Sequence, residues 1–363
     1  MINVSYASND AFAWLTGVSI YSLLKNNSNE NFRLFILDNK ISEESKDKIR
    51  KICQSFNAEL NFIELENLKT SLKGIKIPNR WDFASLGRLF ETFLLPASIE
   101  KILYIDGDTI ILGSVKSLYE DNYDNYAVAG VKDAMSKHYF NNIGITHDDY
   151  MFNAGILVLN LKFMRENNII NRFLNKLSTS KNLLFFDQDI INSCIYKNEK
   201  KVLPLEYNLY SLCTYCTYKE INTIRKPCNY YSKDEYEKAK THPVILHLCT
   251  CILDHGRPWN EFNNHPYRDI FLSYLNETPF ADHKLIMNKK SKSTKIINFL
   301  PRFISFRIIG FFHSFIRPIF KRNKWYCTMS ANDKIIMYEK AKIKILDFAM
   351  CPYSRTIIKK YMY

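Results

Sequence analysis

Short apolar runs over residues 2–7, 32–37 and 59–63 read as β-strands. Apolar positions over 13–25 and 43–56 recur with helical period, so the chain opens β-α-β-α-β. Residues 83–95 read as a helix closed by Pro96, 102–105 and 156–159 as further apolar strands, and 122–149 as a polar, irregular stretch. No segment repeats with a fixed period. Open α/β sheets bind ligands at the C-terminal ends of their strands, which is where 7–10 and 106–108 fall. At 363 residues a sizeable core is expected, in one large α/β domain with an extension. The opening lacks a charged start followed by a small-residue cleavage site, so no secretory signal is expected.

One of these strands ends in candidate chemistry. Lys101-Ile102-Leu103-Tyr104-Ile105-Asp106-Gly107-Asp108 runs from apolar residues into two carboxylates separated by a glycine. Residues i and i+2 of a strand share a face, so Asp106 and Asp108 can converge on one hard cation such as Mg²⁺ or Mn²⁺, which commonly shares its shell with phosphate. The same letters also fit a plain Asp-Gly turn, in which glycine supplies a positive φ.

Nine cysteines without regular pairing suggest reduced thiols, most of them small core residues, in a cytoplasmic compartment. Cys213 and Cys216, with Cys228, Cys249 and Cys251, leave a zinc cluster open as a minor alternative. Charge changes the picture more. Residues 283–332 hold seven Lys, four Arg and no acidic residue, so eleven of the thirteen net positive charges lie there. Phe and Ile interleave with them, and Arg302, Arg307 and Arg317 interrupt the apolar run too often for a spanning helix. A helix lying in an anionic membrane surface is the favoured reading. A helix packed on the main domain is the alternative. Nucleic-acid binding is disfavoured, because the apolar content is excessive for a surface that tracks phosphates.

Several segments match one family in sequence order. Ser85-Leu86-Gly87-Arg88-Leu89-Phe90-Glu91 precedes the Tyr104-Ile105-Asp106-Gly107-Asp108 element. Phe152-Asn153-Ala154-Gly155, closing on Asn160-Leu161, follows it, and then Phe186-Asp187-Gln188-Asp189-Ile190-Ile191-Asn192. Over roughly residues 1–265 the chain resembles glycosyltransferase family 8. The resemblance implies a GT-A fold, α/β with a Rossmann-like nucleotide-binding half and a mixed sheet. It also implies a UDP-hexose donor, glucose or galactose, a Mn²⁺ or Mg²⁺ cofactor, and retention of anomeric configuration. Asp106 and Asp108 match the metal ligands, and Val4 to Asp10 the nucleotide-binding first strand and turn, with Ala7 and Gly107 at the donor. Arg88, Asn153, Ala154, Asp187 and Gln188 match positions that hold the donor sugar. Gln188 and Asp187 lie nearest the reacting face; Asp187-Gln188-Asp189 is equally an acidic helix start. An amide is a poor nucleophile, so a same-face route is expected in which the leaving phosphate oxygen takes the acceptor's proton.

Three departures from the family pattern stand out. Asn9 replaces an Asp that often meets uracil, and Phe12 either stacks on the base or is an ordinary core residue. The late metal-binding histidine is His247, preferred for following an apolar strand, or His255, nearer Pro258 and Trp259. The family's diphosphate-binding Lys is Arg257. The expected partition is a catalytic domain over 1–282, a basic amphipathic membrane-associating segment over 283–332 and a helical tail over 333–363, making a basic, aromatic, mainly helical extension. The expected function is hexose transfer to an envelope glycan such as lipopolysaccharide or capsule, free or lipid-linked. It would take place on the cytoplasmic face of a bacterial membrane, with no nucleic-acid partner. Two other classes are open: a catalytically silent membrane-surface binding protein, and a phosphodiesterase or nucleotidyltransferase, which would need a second carboxylate cluster.

Overall fold

The computed structural model describes residues 1–72, 82–180, 183–251, 253, 256–261, 263–287 and 299–320. Among the described residues ten strands form two sheets: β1 (Ile2–Asn9), β2 (Phe32–Asn39), β3 (Glu59–Glu64), β4 (Lys101–Ile105), β5 (Thr109–Ile111), β6 (Val128–Lys132), β7 (Phe152–Asn160), β8 (Lys200–Val202), β9 (Leu209–Tyr210) and β10 (Ile245–His247). The larger sheet has the order β3-β2-β1-β4-β7-β6-β8. Its β3-β2-β1-β4 half is parallel, and β7 enters antiparallel between β4 and β6, which makes the sheet mixed. The smaller sheet, β5-β10-β9, sets β10 antiparallel to β5 and parallel to β9.

Strand periodicity explains the burial. In β2, Leu34 and Ile36 enter one core while Phe35 and Leu37 enter the other, and β4 divides Leu103 and Ile105 from Ile102 and Tyr104 in the same way. Both faces are covered, so these strands read as continuous apolar runs. Helix α1 (Asp10–Lys25) starts directly at the end of β1, where the Asn9 side chain accepts from Phe12 N. Helix α2 (Glu43–Ser55) is capped by Ser42.

Two sequence expectations are corrected. The helix expected over 83–95 is broken into Ala84–Gly87, a 3₁₀ turn Arg88–Phe90 and Glu91–Leu94. Gly87 packs so tightly that a Cβ there would strike the Leu37 side chain, and Arg88 is drawn inward by partners described below. The stretch 122–149 is not irregular. It holds β6 and helix α3 (Lys137–Ile143), which ends at Gly144 with φ 80°. Elements of five and seven residues are too short for periodicity to register.

Helix α4 (Asp187–Cys194) follows β7 in the site, and α5 (Tyr218–Arg225) is closed at its start by reciprocal bonds between Thr217 and Glu220. Against α5 lies a C-terminal arm: α6 (Arg302–Phe311), a wider π turn over Phe312–Ile316 and a last turn Arg317–Phe320. Phe306 and Ile309 are buried in the main core, and a Cβ on Gly310 would strike the Thr223 carbonyl. The opposite side exposes Phe303, Phe311, Phe312 and Arg307. The arm thus packs on the main domain and still presents an apolar face. Residues 288–298, the 321–332 end of the basic segment and the 333–363 tail lie outside the described residues. Among the described residues no helix is long and apolar enough to cross a membrane.

Candidate active site

The chain passes from the larger sheet to the smaller one between β4 and β5, and the two carboxylates sit in that crossing. Asp106 N donates to Gly155 O at 2.8 Å, fastening it to β7, whereas Asp108 O accepts from Leu248 N at 2.8 Å, fastening it beside β10. β10 pairs with β5 so that His247 stands opposite Thr109. One ligand atom from each of Asp106, Asp108 and His247 can be chosen so that all three lie within 4.8 Å of one another. His247 Nε2 is 3.3 Å from Asp108 Oδ1 and 3.7 Å from Asp106 Oδ2. Its other nitrogen, Nδ1, is 3.0 Å from Asn208 Oδ1, while Asn208 Nδ2 donates to Asn153 Oδ1 and Gly155 N donates to that same oxygen. Because the Asn208 amide must donate to Asn153, its oxygen faces the imidazole, so Nδ1 carries a proton and Nε2 is the nitrogen turned to the carboxylates. Two carboxylates and an imidazole so oriented fit a divalent cation. Burial, the largest influence on His247, lowers its pKa, but Asp108 and Asp106 outweigh it and the net shift is upward. Asp108 is held below the usual carboxylate range: burial alone would raise it, but His247 and Arg257 prevail.

The residues around the cluster are bound to one another. Arg88 is 7% exposed and turned into the cluster: Nη2 donates to Asp106 Oδ1 at 2.7 Å, Nη1 to Ala154 O at 2.5 Å, and Nε lies 3.1 Å from Asp187 Oδ2. Tyr104 donates its hydroxyl to the same Asp106 oxygen at 2.8 Å. Burial lifts Asp187 to about 6 against the pull of Arg88. Gln188 accepts from Ala154 N at 3.1 Å and donates to Asp133 Oδ2 at 3.2 Å, so both ends of its amide are fixed. Asp189 turns back to accept from Leu184 N and Phe185 N, holding the turn in which Phe186 adopts φ 50°. Arg257 Nη1 reaches Asp108 Oδ2 at 3.2 Å. Its loop begins at Gly256, φ 76°, and is anchored by Trp259, buried edge-on against Trp14 of α1.

Comparison with known proteins decides what this assembly belongs to. The model of glycosyl transferase family 8 matches residues 3–262. The chain belongs to glycosyl transferase family 8. Among curated relatives of this family 8 glycosyltransferase, general stress protein A of Bacillus subtilis is 24% identical over 294 residues, covering 77% of this chain and 94% of that protein. Lipopolysaccharide 1,2-glucosyltransferase of Escherichia coli K12 is 24% identical over 285 residues, 77% of this chain and 79% of that one. Among solved structures, the galactosyltransferase LgtC in complex with donor and acceptor sugar analogues superposes with a TM-score of 0.63 at 17% identity, covering 81% of this chain and 99% of that chain. The fold is GT-A.

In this family 8 glycosyltransferase, Asp106, Asp108, His247, Arg257, Arg88, Asp187, Gln188, Asn153 and Ala154 form one connected cluster. His255 lies outside the described residues. Ala7 and Asn9 lie at the C-terminal end of β1. Asn9 caps α1 with its oxygen and gives its Nδ2 to Asp82 at 2.8 Å, which also accepts from Asn39. Phe12 is 45% exposed, which removes the core reading. Gly107 has no positive φ, so the plain-turn reading fails; the space of its missing Cβ is filled by Thr16 Oγ1 rather than left for a ligand. The described cysteines are free thiols, and Asp106, Asp108 and His247 are the metal-ligand group found among the described residues, so neither a zinc cluster nor a second carboxylate site stands there. Sequence reasoning missed Asn208, Asp133, Tyr104, Asp82 and Gly155. Gly155 had a signal, since it closes the Phe152-Asn153-Ala154-Gly155 motif: a Cβ there would overlap the His247 ring.

Proposed function

We propose that the chain is a retaining, metal-dependent hexosyltransferase. It would move glucose or galactose from a UDP-sugar to an envelope glycan such as lipopolysaccharide or capsule, at the cytoplasmic face of the membrane. The reading rests above all on the Asp106, Asp108 and His247 cluster, with Arg257 joined to it at Asp108. A bound Mn²⁺ or Mg²⁺ would act as Lewis acid on the departing diphosphate. Arg257, already on the cluster, adds a guanidinium fork suited to phosphate oxygens. Arg88 acts through others: it orients Asp106, Asp187 and the Ala154 carbonyl.

A double displacement needs a free carboxylate close to the anomeric carbon. Asp187 is paired with Arg88, Asp189 is tied to two backbone amides, and Gln188 is held at both ends. That engagement favours a same-face route in which the leaving phosphate oxygen takes the acceptor's proton. Exposed Phe12 beside Asn9 is suited to stacking on the base. The lipopolysaccharide acceptor is carried over from the Escherichia coli relative. The membrane surface is supported by the arm's exposed Phe face and the basic charge of 283–332.

The test is a donor screen with UDP-, GDP- and CMP-sugars. The expected result is slow hydrolysis of a UDP-hexose without acceptor, stimulated by Mn²⁺ and abolished by chelation. Hydrolysis indifferent to chelation would overturn the metal role, and preference for a GDP- or CMP-sugar would overturn the donor.

A further inference from the structure

Where the arm meets the main domain, positive charge gathers without a carboxylate paired to it. Arg225, the last residue of α5, donates through Nη1 to His313 Nε2, and Arg317 Nη1 donates to the same nitrogen at 3.0 Å. An imidazole nitrogen that accepts from two guanidinium groups keeps its lone pair, so His313 is neutral with its proton on Nδ1. Burial, then Arg225 and Arg317, push its pKa well below the ordinary value. That Nδ1 and the Nε of Arg225 are buried without a hydrogen-bond partner, and Arg225 as a whole is 9% exposed. Elsewhere Arg33, Arg88, Arg172, Arg257 and Arg302 each pair with a carboxylate. Among the described residues no carboxylate forms an ion pair with Arg225 or Arg317, whose partners include His313, the Met135 sulfur, the Tyr139 hydroxyl and the Phe185 ring. Buried cations are strongly disfavoured unless an anion or a full set of acceptors meets them.

The cluster adjoins the reacting region. Arg317 lies over the Phe185 ring at 5.1 Å, and the Phe185 carbonyl accepts from Gln188 N at 3.1 Å. The carboxylate on this side is Asp133, already engaged by Gln188 Nε2. The arm is pinned here by Ser136 Oγ to Ser314 O, Tyr139 hydroxyl to His313 O and Asn142 Nδ2 to Pro318 O. Arg317 is half-buried and forms the open side of the cluster, with Arg225 and His313 behind it.

We propose that Arg317, Arg225 and His313 form a subsite for an oxyanion, a phosphate or carboxylate group borne by the acceptor, on the Asp133 side of Gln188. Assigning the anion to the acceptor rests on the transfer reaction proposed above; anion binding itself does not. Calorimetric titration of the full chain, with UDP and Mn²⁺ present to fill the donor side, tests it with glucose 6-phosphate, glucuronate and glucose at constant ionic strength. The expected result is binding of one or both charged sugars but not of glucose, and the charged sugar that binds identifies the oxyanion. Arg317→Gln and Arg225→Gln should each weaken that binding roughly tenfold or more, the usual size of a lost charge-assisted hydrogen bond, while UDP affinity stays unchanged. Should either variant melt without a cooperative transition, Arg317→Lys decides, since retained charge without the fork predicts intermediate affinity. Equal binding by the wild type and every variant, or no binding of either charged sugar by the wild type, overturns the subsite. A chain that binds no UDP yet binds a charged sugar through Arg317 overturns the donor assignment alone.

Discussion

Asn208 shows how a residue remote from any motif can set the chemistry of one inside it. Its amide fixes the His247 proton on Nδ1, so Asn208→Ala should lower Mn²⁺ affinity roughly 10- to 100-fold while leaving the melting transition in place. Calorimetry of UDP with and without Mn²⁺ measures this, and an unchanged Mn²⁺ dependence would remove the relay. In the same assay Asp106→Asn or Asp108→Asn should lose the Mn²⁺ dependence altogether. Glu91 offers a prediction about pH. Burial lifts its carboxyl from 4.5 to about 8, with Ser5 and Arg88 pulling the other way. Between those values the folded state holds a proton that the unfolded state has lost, so its contribution is complete below about 4.5 and fades as pH rises to about 8. Glu91→Gln should flatten that decline, by up to a few kcal/mol in denaturant titrations, because a tenfold change in proton affinity is worth roughly 1.4 kcal/mol. Parallel declines in both proteins would show that Glu91 is ionised in the fold. At this scale the sequence displayed the two candidate carboxylate ligands, because Asp-Gly-Asp after an apolar strand is a local pattern. It hid Asn208 and Asp133, whose roles depend on partners 39 and 55 residues away.

Elements were legible where they were long or continuously apolar. β1, α1, β2 and α2 announced themselves, whereas β6 and α3 were too short to be periodic and the helix at Arg88 was broken by its own contacts. The arm combined both cases. Its Phe and Ile residues supply an inner face, Phe306 and Ile309, and an outer one, so composition alone could not separate packing from exposure. Gly310 is the contact that lets α6 lie against α5. Gly310→Leu should lift the helix, seen as faster amide exchange over 302–316 with β1 and β4 unaffected. Unaltered exchange over the arm would mean that the close approach to Thr223 is not needed.

For the whole molecule, the order of motifs pointed to fold and family and the charge asymmetry marked out the basic segment, while the relation between the arm and the catalytic body could be seen only in three dimensions. Deleting everything after Asp282 is consequently a poor test of membrane contact, since it strips Phe306 and Ile309 from the core and His313 from Arg225. Replacing Phe303, Phe311 and Phe312 by Ser keeps the inner face. The triple variant should retain UDP affinity but sediment less with anionic vesicles, and the remaining binding should be salt-sensitive at roughly 1 kcal/mol per basic residue near the surface. Undiminished sedimentation would place the membrane contact elsewhere.

The crossing between β4 and β5 has a mechanical consequence. Asp106 is tied by its backbone to the larger sheet, Asp108 by its backbone to the smaller, and His247 rides on the centre strand of the smaller. Any change in the tilt of one sheet against the other is therefore read directly as a change in spacing among the three side chains. The site behaves as a gauge of that tilt, so substitutions along β9 or under β10 can alter cation affinity without touching a ligand, and a captured cation in turn stiffens the joint between the sheets.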